Sequence, residues 1–148
     1  MKHIFSIIIL SAMSLLAGCT HNNGDIGPLF GQWIMTGITV NGDTPADINP
    51  TEWNWRFQNQ VFLISHVDVV AHDYRQYWGS WTMADKIMTI DYDNTDSAID
   101  YAYETPSAIG FTDAAVYTLS VVNLSSHDMI LQMVNPGGDT YVYTLKKN

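Results

Sequence analysis

The sequence predicts an all-β domain, an eight-stranded antiparallel up-and-down barrel. From Gly31 onward, segments that alternate apolar and polar residues are separated by turn residues, and no stretch holds a helical period. Eight such segments are joined mostly by short hairpins, and eight strands make a barrel just wide enough for its own side chains to fill. The length also suits one core: of 148 residues, removing an 18-residue leader leaves 130.

The first strand, Gly31–Val40, opens on Leu29-Phe30-Gly31-Gln32-Trp33, where Gly31 permits close backbone approach and Trp33 is expected to plug the barrel floor. Asn41-Gly42 is a strong turn dipeptide, and Pro45–Pro50 is loop. Glu52–Gln58 places Trp53, Trp55 and Phe57 on one face and Asn54, Arg56 and Gln58 on the other. Asn59-Gln60 turns into Val61–Val67, and Asp68–Asp73 connects to Tyr74–Met83, which carries Gly79-Ser80-Trp81. Ala84-Asp85-Lys86 turns into Ile87–Tyr92, aligning Met88, Ile90 and Tyr92.

A long connection runs from Asp93 to about Thr112. Its charge and lack of periodicity predict few buried contacts, so replacing Thr95–Pro106 with a short bridge is expected to be tolerated. The last strands are Asp113–Asn123, Asp128–Val134 and Thr140–Leu145, separated by Ser125-Ser126-His127 and by Asn135-Pro136-Gly137-Gly138. There is no internal repeat.

The start of the chain reads as a delivery segment. Met1-Lys2-His3 is basic, and Ile4–Leu16 is apolar but shorter than the roughly 20 residues a spanning helix needs. Residues 1–18 are therefore a signal peptide, residues 19–28 a lipidated cysteine and linker, and residues 29–148 the barrel domain. Leu16-Ala17-Gly18-Cys19 resembles the lipobox of bacterial lipoproteins. That resemblance implies cleavage before Cys19, a diacylglyceryl group on its thiol and an acyl chain, such as palmitate, on its new amine. Thr20 rather than Asp after Cys19 resembles outer-membrane sorting, so the expected location is lipid-anchored at the outer membrane, on its periplasmic face or at the cell surface. Cys19 is the only cysteine, so no intramolecular disulfide can form. Thr20–Pro28 is polar, glycine-containing linker that reaches at most about 30 Å.

Loss of Lys2 with the leader takes the net charge from −9 to −10. That balance, without a basic patch in the sequence, excludes nucleic acid as a partner and repels anionic membrane surface. Cations, neutral ligands and basic protein surfaces remain open.

Gly31-x-Trp33, Trp55-x-Phe57 and Gly79-x-Trp81, with Asn123-Leu124-Ser125-Ser126 before an apolar strand, resemble the small lipocalin-like lipoproteins of Gram-negative bacteria. The resemblance covers Leu29 to Lys146. It implies a calycin-type meander barrel, no established catalysis and ligands that are mostly unknown. The chain is shorter than true lipocalins and lacks their disulfide and a clear C-terminal helix.

Trp53, Trp55, Trp81, Met83, Met88 and Met133 are the candidate ligand-binding residues, expected to share the interior with Trp33, Met35, Phe57, Met129 and Leu131. Methionine and tryptophan can form an adaptable wall for an apolar or aromatic ligand, or a packed core. His66 and Asp68, two apart on a strand, and His72 are imidazole and carboxylate groups without a diagnostic metal-ligand spacing. Asp93, Asp96, Asp100 and Glu104 approach a calcium loop, but Ala98 stands where its central glycine belongs, and a solvated lid at the mouth is the expectation. Asp96-Ser97-Ala98 resembles a bacterial O-glycosylation sequon, making Ser97 a candidate site. No paired carboxylates, no Gly-x-Ser-x-Gly elbow and no cofactor motif stand in the chain, so no catalytic residue, metal or cofactor is expected. The expected function is non-enzymatic: an envelope lipoprotein whose barrel binds a small apolar or aromatic ligand. The alternative is an interaction subunit that docks on an outer-membrane protein assembly without a small ligand.

Overall fold

The computed structural model describes residues 27–93 and 104–148. The leader, Cys19 and most of the linker lie outside them, as do Asp96, Ser97 and Asp100. The strands are β1 Gly31–Val40, β2 Trp53–Gln58, β3 Val61–Asp68, β4 Asp73–Ala84, β5 Ile87–Asp91, β6 Val116–Leu124, β7 Asp128–Val134 and β8 Thr140–Lys147. Each pairs antiparallel with the next and β8 pairs with β1, giving a closed barrel with no exposed sheet edge.

Register turns the sequence alternation into an inner wall. Trp33 opposes Trp55, Trp55 opposes Ile64, and Ile64 opposes Tyr77, so one row of side chains runs around the interior. A second row runs from Met83 on β4 through Met88, Leu119 and Met133 on the far side, and the last three are buried. A bulge between Met35 and Gly37 shifts the parity of β1, so Ile38 rather than Gly37 turns inward. β8 runs past Leu145 because Lys146 and Lys147 pair with Ile34 and Trp33. β6 begins at Val116 rather than Asp113, because Asp113 sits at φ +59, a left-handed conformation no strand uses.

The end of the barrel where β1 starts is closed. Trp33 is fully buried, its indole N–H donates to the Leu29 carbonyl at 2.9 Å, and the Lys147 ammonium lies 5.3 Å from the centre of its ring. Lys147 Nζ also donates to the Pro28 carbonyl at 2.8 Å, strapping the incoming chain beneath the floor.

Two interior assignments need correction. Trp81 is only half-buried, packed edge-on against Phe57 at 5.3 Å between ring centres. Met83 is 44% exposed and lines an open groove of about 240 Å³ with Lys86 and 121–124. The register explains this: the β3–β4 ladder stops at Val61 opposite Ser80, so β3 does not extend alongside Met83.

The expectation for the long connection fails more seriously. Its described part, 104–112, carries a short 3-10 turn at Ser107–Ile109, and Pro106, Ile109, Gly110 and Phe111 are buried. Of Thr95–Pro106, 95–103 lie outside the described residues, but the bridge would remove buried Pro106 and Thr105, whose hydroxyl bonds the Phe111 carbonyl.

Candidate functional site

The open end of the barrel is framed by the 41–52 connection, the 69–72 turn, the 135–139 turn and the segment ending at β6. The strands deliver four large rings to this mouth: Trp55 from β2, Tyr92 just beyond β5, Tyr117 from β6 and Tyr143 from β8. Phe111 fills the space between them. Its ring centre lies 6.0 Å from Trp55, 5.9 Å from Tyr92, 4.9 Å from Tyr117 and 6.1 Å from Tyr143. The first three contacts are edge-to-face and the Tyr143 contact is stacked, the arrangements in which aromatic quadrupoles attract. This central side chain belongs to a connection, whereas the wall around it belongs to the sheet or abuts it.

The connection is pinned in place. Tyr143 Oη donates to the Ile109 carbonyl at 2.7 Å, and Thr105 Oγ1 donates to the Phe111 carbonyl at 2.6 Å. Gly110 lies over Tyr141 at φ +97, where an added Cβ would come 2.6 Å from the ring, so only glycine fits. Gly79 has a matching role in the wall: a Cβ there would sit 2.6 Å from the Asp91 carbonyl oxygen and 3.3 Å from the Tyr92 ring. Its absence lets Tyr92 lie across β4.

Three buried donors have no hydrogen-bond partner among the described residues: Trp55 Nε1, Tyr92 Oη and Trp81 Nε1. Trp55 and Tyr92 are 0% and 1% exposed. Burial pushes the Tyr92 and Tyr143 hydroxyls well above their usual value near 10, so both remain neutral O–H groups at ordinary pH.

The structure separates the candidates that the sequence grouped. Trp53 and Trp55 face the mouth half; Trp81 and Met83 lie toward the closed end, where Met83 pairs across the strands with Met88, and Met133 lies two strands farther round the wall. Trp53 packs on His66 at 4.3 Å between ring centres, and His66 Nε2 meets Glu52 Oε2 at 3.3 Å. The Asp68 carboxylate accepts instead from the Val70 and Ala71 amides in its own turn. Among the described residues no group of three His, Cys, Asp or Glu is placed to hold a metal ion. Phe111 and its cage of tyrosines escaped the sequence reading. Their one signal was Ala108-Ile109-Gly110-Phe111, an apolar quartet inside a polar connection.

Charge is unevenly distributed. Asp43, Asp47, Glu52, Asp68, Asp73 and Asp139 lie in or beside the mouth loops, with Arg75 the nearby cation. Lys86, Lys146 and Lys147 gather at the closed end with Asp85 and Asp128. Net charge alone concealed this polarity.

No protein-family model matches the chain, and no curated protein matches it. Solved structures do. A lipocalin-like protein from Bacteroides uniformis superposes with TM-score 0.56 at 14% identity, covering 82% of this chain and 100% of that one. An uncharacterized protein from Bacteroides eggerthii gives 0.53 at 19% identity, covering 81% and 99%. Bovine odorant binding protein, solved with a selenium-containing odorant, gives 0.48 at 16% identity, covering 89% and 78%. The closed eight-stranded barrel and its likeness to the Bacteroides uniformis structure establish the fold class alone: this is a lipocalin-like barrel.

Proposed function

We propose that the chain is a non-enzymatic lipoprotein of the cell envelope, anchored at the outer membrane through Cys19, whose barrel binds a small apolar or aromatic ligand at its mouth. One observation carries the binding reading. The centre of the mouth is occupied by Phe111, a side chain from a connection, held by a few hydrogen bonds rather than by the strand ladder. Withdrawing that segment leaves an apolar, aromatic-walled site without breaking any strand pair. The lipocalin-like fold, with its walled interior and loop-framed mouth, supports the same reading.

The test is titration of the protein with N-phenyl-1-naphthylamine, a neutral apolar fluorophore. Saturable fluorescence enhancement is expected, and Phe111→Ala should tighten it by removing the occupant. No binding by either form would reject the ligand reading and favour a docking subunit.

A further inference from the structure

We propose that the ligand is a neutral aromatic compound bearing a hydrogen-bond acceptor, such as a ketone, ester or amide carbonyl, and that it replaces Phe111 and takes up the donors of Trp55 and Tyr92. This rests on the ligand-binding reading above and adds the chemistry of recognition. Both Trp55 and Tyr92 contact Phe111, at 6.0 and 5.9 Å between ring centres, and both contact Phe62, at 5.7 and 6.2 Å. They therefore border the same space. Each brings a buried polar hydrogen with no partner among the described residues. An indole N–H can only donate, so the group that satisfies it must be an acceptor. Buried polar groups almost always find a partner, and an unmet one next to a replaceable ring marks a place where something else can bond.

The surroundings exclude a charged acceptor. Among the described residues no lysine, arginine or histidine is buried, so no cation lies inside to neutralise a carboxylate or phosphate. The carboxylates around the mouth repel an anion before it arrives. Phe111 itself supplies the shape: one flat ring fits between Tyr117 and Tyr143. It cannot supply an acceptor, which is where a ligand gains over the tethered side chain.

Acetophenone and ethylbenzene make a matched pair, nearly equal in size and differing in the carbonyl. Each would compete against N-phenyl-1-naphthylamine on wild type, Phe111→Ala, Phe111→Leu and Tyr92→Phe. We expect acetophenone to displace the reporter about tenfold more effectively than ethylbenzene, the effect of one or two net hydrogen bonds. Tyr92→Phe should weaken acetophenone several-fold and leave ethylbenzene unchanged. That variant removes an unpartnered hydroxyl and keeps the ring, so it should fold even where Phe111→Ala does not. Equal competition by the two compounds, with the reporter still bound, would overturn the acceptor inference while leaving the ligand-binding reading intact. Benzoate competing better than acetophenone would overturn the exclusion of charge. Failure of the reporter itself to bind would remove both.

Discussion

Tyr143 Oη donates to the Ile109 carbonyl across 34 residues of chain, a buried bond of 2.7 Å that ties the mouth segment to the strand closing the barrel. Backbone carbonyls in a turn this short have few alternatives, so Ile109 depends on the hydroxyl. Tyr143→Phe keeps the ring contacts with Trp55 and Phe111 and removes only the bond. It should cost about 1–3 kcal/mol by chemical denaturation, because the carbonyl is left buried and unmet. Binding of the naphthylamine reporter should tighten, since the segment is then easier to displace. A stability change without any change in binding would mean that Tyr143 supports the wall alone.

High pH should unlatch the same region. Tyr92 and Tyr143 hold their protons to higher pH in the fold than in the unfolded chain, mainly because burial disfavours the phenolate. Their contribution is complete below about pH 10, the unfolded value, and is lost as pH rises from there toward the folded values, since only the unfolded chain releases those protons. Stability should be insensitive to these two groups at neutral pH. Above pH 10 it should fall by about 1.4 kcal/mol per pH unit for each residue. Urea denaturation at intervals up to pH 11.5 would show the slope, and Tyr92→Phe with Tyr143→Phe should flatten it.

Two side chains of the closed end, one buried and one exposed, should respond differently to truncation. Trp33 is fully buried and bonded to Leu29, so Trp33→Ala should cost about 3–5 kcal/mol. Met83 is largely outside the core, and Met83→Ala should stay within about 1 kcal/mol. Similar losses at both positions would show that the closed end is packed more tightly around Met83 than its exposure indicates.

Gly79→Ala tests how closely β4 and β5 approach. The new methyl would lie 2.6 Å from the Asp91 carbonyl oxygen, a backbone atom that cannot swing aside. Relieving the clash requires moving β5 or Tyr92, so the cost should be about 1–3 kcal/mol, with altered near-ultraviolet circular dichroism from the displaced tyrosine. An alanine tolerated without either change would mean that the two strands have room to spare.

The lipid anchor rests on Leu16-Ala17-Gly18-Cys19, and Cys19→Ser addresses it directly. Wild type should incorporate labelled palmitate and partition into detergent, and the variant should do neither. Equal labelling of the two would remove the anchor from the proposal.

The strands were legible because their signal is local. Trp53, Trp55 and Phe57 alternate with polar neighbours, and a half-buried wall needs that period and little else. β7 spans Asp128–Val134 as its turns and alternation indicate. The mouth was not legible, because its central residue has no period. Phe111 gains its meaning from Trp55, Tyr92, Tyr117 and Tyr143, which come from four separate places in the chain. Met83 shows the converse limit. Parity gives its side of the strand, but whether a neighbouring strand extends that far depends on register.

β8 has a consequence for how the molecule is made. Trp33 and Lys147 meet across almost the whole domain, so the contact that seals the barrel is among the longest in sequence, and such contacts form slowly. Of the eight strands Thr140–Lys147 is synthesised last, and until then β1 and β7 are bare edges with unpaired amides and carbonyls. The same eight residues bring the hydroxyl that ties down Ile109 and the ammonium that holds Pro28. A nascent chain short of them is an open, adhesive sheet, vulnerable to pairing with its neighbours. A chain that stops before Thr140 should therefore yield aggregate or proteolytic fragments.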